Sequence, residues 1–86
     1  MKKMIEEIDD QIAGVNVKVR YYYDDETKLY SFQTNPQLKD KDQIDYHNFG
    51  GGTSIDGNLA NLKNKYNNTY KKEFTSVVDQ RDNPVF

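Results

Sequence analysis

Val15-Asn16-Val17-Lys18-Val19-Arg20-Tyr21-Tyr22-Tyr23-Asp24 decides how the rest of the chain is read. Apolar and polar residues alternate with a period of two. This is the pattern of a β-strand with one buried and one wetted face. Val15, Val17, Val19, Tyr21 and Tyr23 take the buried side, and Lys18, Arg20 and Tyr22 the wet one. The polar run Asp24-Asp25-Glu26-Thr27-Lys28 reads as a turn. Leu29 to Thr34 then returns as a second strand with Tyr30 and Phe32 on one face, so the short separation predicts an antiparallel hairpin.

Upstream, Met4 or Ile5, Ile8 and Ile12 recur at spacings of three and four. This predicts a short amphipathic helix over 2–13, with Glu6, Glu7, Asp9 and Asp10 solvated and Gly14 ending it. Downstream, Asn35-Pro36 stops the hairpin, 37–42 reads as a polar loop, and Gln43 to Phe49 as a third strand carrying Ile44 and Tyr46. Gly50-Gly51-Gly52 breaks the chain, and Thr53 or Ser54 offers a helix cap. Ile55, Leu59, Leu62, Tyr66, Tyr70 and Phe74 then repeat every three or four residues, predicting a helix of about 20 residues. Residues 75–86 read as a short extra strand or a loose tail. The expected fold is α+β in the order α-β-β-β-α. A three-stranded antiparallel sheet is covered on one face by two helices, with one domain over 1–74 and the tail beyond it.

Composition narrows the functional classes. With 86 residues there is room for one domain. The net charge is −2, with seven basic against ten acidic residues in 1–45 and five against four in 46–86. A general nucleic-acid coat needs a denser basic surface. The absence of cysteine removes disulfides, thiolate zinc sites and cysteine nucleophiles. The first residues turn acidic at Glu6 without an apolar run, so no signal peptide is expected, and no stretch is apolar enough to span a membrane. A bacterial cytoplasmic location is the expectation.

No arrangement of residues reads as catalytic, and no cofactor or metal is expected. His47 is the only histidine, and no nucleophile-elbow pattern accompanies Ser31, Ser54 or Ser76. Asp40, Asp42 and Asp45 crowd together without the glycine and glutamate of a calcium loop. Gly50-Gly51-Gly52-Thr53-Ser54 lacks the lysine of a phosphate-binding loop. Two surfaces remain. The acids Glu6, Glu7, Asp9 and Asp10, then Asp24, Asp25 and Glu26, then Asp40, Asp42 and Asp45, are either plain solvated charge or a local imitation of nucleic-acid phosphates. Tyr22 beside Lys18 and Arg20 is either a sheet-face aromatic or a residue that stacks on a base or anchors an interface.

The predicted order, with Gly50-Gly51-Gly52-Thr53-Ser54 leading into the last helix, resembles the double-stranded-RNA-binding domain. That helix opens here with Ile55-Asp56-Gly57-Asn58 instead of lysines, so the resemblance implies topology alone. The strand-turn-strand and following helix also look like antitoxin domains of the HicB family. Small size, polarity, acidic patches and the helix–sheet–helix order are similar to small phage-encoded anti-defence proteins, anti-CRISPR inhibitors among them. That last resemblance implies a protein which binds and inhibits a larger bacterial protein such as a nucleic-acid-handling nuclease. Its expected contacts are Tyr22, Asp24, Asp25, Glu26, Asp40, Asp42 and Asp45. The alternatives are a nucleic-acid-binding or antitoxin-like domain using Lys18, Arg20, Lys65 and Lys72, and a self-associating structural module.

Overall fold

The computed structural model describes residues 1–35, 37–39, 48–50, 57–71 and 78–80. Its strands are β1 (Lys2–Ile12), β2 (Val15–Asp24), β3 (Leu29–Asn35), β4 (Gln37–Lys39), β5 (Asn48–Gly50) and β6 (Val78–Gln80). One helix, α1 (Leu59–Lys65), runs on into a π-helical segment, Tyr66–Lys71. The main sheet has the order β1-β2-β3-β5, with every neighbouring pair antiparallel. β4 and β6 form a separate antiparallel pair.

The predicted first helix is a strand, which overturns the α-β-β-β-α order. The physical reason lies in the spacing. Ile8 and Ile12 are four residues apart, which places them on one face of a helix and also on one face of a strand. Gly14 was equally ambiguous. It takes φ 82°, and Ala13 before it takes φ 51°. Two consecutive positive φ values make a tight hairpin turn joining Ile12 to Val15, rather than a helix end. The strong strand at 15–24 then supplies a partner along the whole of β1, and the ladder decides the conformation. One irregularity interrupts it, a bulge between Met4 and Glu6 at Ile5.

The expected pair of covering helices is corrected as well, because the described residues hold one. The expected caps Thr53 and Ser54, and Ile55 and Phe74 at either end of the predicted helix, lie outside the described residues. α1 is capped by Asn58, whose side-chain oxygen accepts from the Asn61 amide at 2.8 Å. Of the predicted third strand, Asn48 and Phe49 belong to β5, which ends at Gly50, and 43–47 lie outside the described residues. Residues 37–39, read as loop, are β4.

Packing follows the alternation. Ile12, Val17, Val19, Tyr21, Phe32, Leu62 and Tyr66 form the buried core, and Ile8, Val15, Tyr30 and Leu59 pack around it. The helix thus lies on the face of the sheet that carries Tyr21 and Phe32. Three rings meet where it does: Phe32 and Tyr66 are 5.1 Å apart and edge-on, Tyr21 and Tyr66 6.3 Å, and Tyr21 and Phe32 6.0 Å. Edge-on aromatic pairs add to the area they bury. The opposite face of the sheet carries no described helix.

Candidate protein-docking site

The uncovered face is set by register. Across β1, β2 and β3 it presents Gln11, Asp9 and Glu7 against Asn16, Lys18 and Arg20, and then Asn35 and Gln33 on β3. Beyond the bulge the rows are Met4, Tyr22 and Ser31, then Lys2, Asp24 and Leu29. One end of this face is therefore a charge lattice, and the other sets Met4, Tyr22 and Leu29 among Lys2, Asp24 and Ser31.

At the charged end the cations are consumed internally. The Arg20 Nε donates to Glu7 Oε2 at 2.7 Å, and the Lys18 ammonium lies 3.3 Å from Glu7 Oε1. The Arg20 contact, with Lys18 second, holds the Glu7 carboxyl below its ordinary range, and the same pairing raises Arg20. Lys18 and Arg20, expected to be nucleic-acid contacts, thus share one carboxylate. Lys65 stands exposed on α1, and Lys72 lies outside the described residues.

At the other end Tyr22 is half-buried with the Lys2 ammonium 5.1 Å from its ring centroid. Such a cation over a ring stabilises both side chains. Met4, directly opposite Tyr22, is 51% exposed, and Leu29, one row on, is 40% exposed. Met1 and Ile5 are exposed nearby in the chain. An apolar cluster edged by charge is the anatomy of a protein-binding surface.

The acids at this end divide by role. Asp24 is a turn residue: its side chain accepts from the Glu26 amide at 2.9 Å, and its backbone oxygen from the Lys28 amide at 2.7 Å. The Glu26 amide is the main reason its carboxyl sits below the ordinary value. Asp25 and Glu26 project from the turn, exposed. The Met1 ammonium reaches Asp25 and lies 3.3 Å from Glu26 and 3.4 Å from Asp24, which raises its own pKa, Asp25 contributing most. Asp40, Asp42, Asp45 and His47 lie outside the described residues. The sheet therefore brings Tyr22, Asp24, Asp25 and Glu26 together.

No family model matches the chain, and no curated protein and no solved structure matches it.

Met4 and Leu29 were not foreseen as site residues. Leu29 carried a signal, since alternation from Tyr30 and Phe32 sets it on the wet face as an apolar residue out of place. Met4 carried none while residues 2–13 read as a helix. Among the described residues no group of three or more His, Asp or Glu is placed to hold a metal ion. No helix among them is long and apolar enough to cross a membrane.

Proposed function

We propose that this chain is a small protein-binding domain. It docks a larger protein through the end of the open sheet face where Met4, Tyr22 and Leu29 meet the turn acids Asp25 and Glu26. The observation that supports this most is the exposure of Met4 and Leu29 beside Tyr22 on a face that carries no described helix. Apolar and aromatic groups at the centre of such a patch supply most of the binding energy, and charges at its edge steer the approach. Asp25 and Glu26 favour a partner with a basic rim. In a bacterial cytoplasm, a nucleic-acid-handling enzyme whose groove the domain would block has that chemistry. The nucleic-acid-binding alternative has less support, because Lys18 and Arg20 converge on Glu7.

The test is capture by the tagged chain from bacterial lysate, with and without nuclease, alongside a Leu29→Asp variant. A stoichiometric protein that survives nuclease and is lost with Leu29→Asp supports the reading. Recovery that vanishes with nuclease and falls steeply with salt would replace it with the nucleic-acid alternative.

A further inference from the structure

β1 is the outermost strand of the sheet. Among the described residues its far edge pairs with nothing. Which backbone groups point that way follows from the hairpin. Across a two-residue turn the flanking residues, here Ile12 and Val15, form a hydrogen-bonded pair. Bonded pairs then alternate along the ladder through Asp10, Ile8 and Glu6. The amides and carbonyls of Gln11, Asp9 and Glu7 are therefore turned outward, away from β2.

We propose that two copies of this chain join β1 to β1, antiparallel, into one continuous sheet. The charge along the strand selects this occupant. Lys2 and Lys3 lie at one end, and Asp9 and Asp10 at the other. The acids between them are already compensated within the chain, Glu6 by Lys63 at 2.6 Å and Glu7 by Arg20 and Lys18. Lys2 and Asp9, both on the open face, are exposed and, among the described residues, form no ion pair. An antiparallel copy with its two-fold axis near Glu6 and Glu7 sets the lysine end of each strand against the aspartate end of the other, and the glutamates it opposes at the centre are those already paired with Lys63, Arg20 and Lys18. A parallel copy would set lysines on lysines and acids on acids, which is unfavourable for directly opposed strands. The bulge at Ile5 and the core-facing Glu6 and Asp10 discourage indiscriminate edge pairing, so one register is favoured over open-ended growth. This interface uses the sheet edge, whereas the proposed docking site uses its open face; Lys2, which lies over Tyr22, borders both, and the Asp9 variants leave Met4, Tyr22 and Leu29 unaltered and so separate the two.

Sedimentation equilibrium is the measurement. An edge-to-edge contact is smaller than a standard interface, so a weak dimer is expected and the range should reach about 1 mM. Asp9→Pro removes an outward amide that β2 does not use, and should give a monomer with an unchanged circular dichroism spectrum. Lys2→Glu with Lys3→Glu in one chain, and Asp9→Lys in another, should each weaken self-association by about tenfold or more. Mixing those two variants should restore dimers, because each supplies the charge that the other now needs. A wild-type chain that stays monomeric throughout would overturn the proposal. So would a dimer that persists in a folded Asp9→Pro chain, or charge variants that associate no better mixed than alone. If Asp9→Pro does not fold, the charge-swapped pair decides.

Discussion

The Lys63 ammonium lies 2.6 Å from Glu6 Oε1 and 5.7 Å from the centroid of the Tyr21 ring. Glu6 is on β1 and Lys63 on α1, so one contact ties the helix to the outermost strand. Both side chains are about a third exposed, at 32% and 36%, which places the pair between a surface and a buried bridge. Its net value is correspondingly modest. Replacing Lys63 with Met keeps the aliphatic stem over Tyr21 and removes the charge. Lys63→Met and Glu6→Gln should each lower stability by about 0.5–1 kcal/mol. The double variant should lose less than the sum of the two, read by denaturant unfolding as a double-mutant cycle.

The turn between β1 and β2 holds a residue that is costly where it stands. Ala13 adopts φ 51°, a conformation that side chains with a Cβ resist. Ala13→Gly should stabilise the chain by about 0.5–1 kcal/mol, a rise of several degrees in Tm for a domain of this size. Gly14→Ala should destabilise it by about 1 kcal/mol. Nothing lies within 4 Å of a Cβ added at Gly14, so the loss would come from its φ of 82° and not from a clash.

Tyr21 carries a buried hydroxyl with no hydrogen-bond partner among the described residues. Tyr21→Phe removes that group without changing the ring, and should be neutral or stabilising by up to about 1 kcal/mol. Burial, with Asp10 and Glu6 nearby, pushes the phenol well above its ordinary value near 10. A raised folded value means that the unfolded chain ionises first. Stability is therefore full below pH 10 and falls as pH rises above it. Tyr21→Phe should flatten that alkaline loss, measured as urea midpoints between pH 9 and about 11.

Acid should act through Glu7. Its carboxyl is held below the ordinary 4.5 by Arg20 first and Lys18 second. A depressed folded value contributes stability above the unfolded pKa and loses it as pH falls through the folded one. Glu7→Gln should therefore be less stable than wild type at neutral pH and approach it in acid as the Glu7 carboxyl protonates, with the convergence followed by circular dichroism.

The core is where sequence and structure agree best. Val17, Val19, Tyr21 and Phe32 are buried where period-two alternation puts them, and Leu62 and Tyr66 where the helical repeat does. Both patterns run long enough to exclude the other period. Residues 2–12 offered only Ile8 and Ile12, a spacing common to both, and a glycine that ends helices and closes hairpins equally well. A local pattern cannot resolve that, because the deciding contact is the ladder with β2. The docking site was half legible: Tyr22, Asp25 and Glu26 stand out in the sequence, but Met4 joins them only once β1 is a strand. The commitment of Lys18 and Arg20 to Glu7 was illegible for the same reason.

The most direct test of the docking surface is the affinity of the captured protein for four chains, measured by titration calorimetry: wild type, Tyr22→Ala, Leu29→Asp, and Asp25→Lys with Glu26→Lys. The patch predicts a loss of about thirtyfold or more for Tyr22→Ala and Leu29→Asp. For the charge reversal it predicts a smaller loss that shrinks with added salt. Affinities unchanged across folded variants would place the contact elsewhere on the molecule and contradict the assignment.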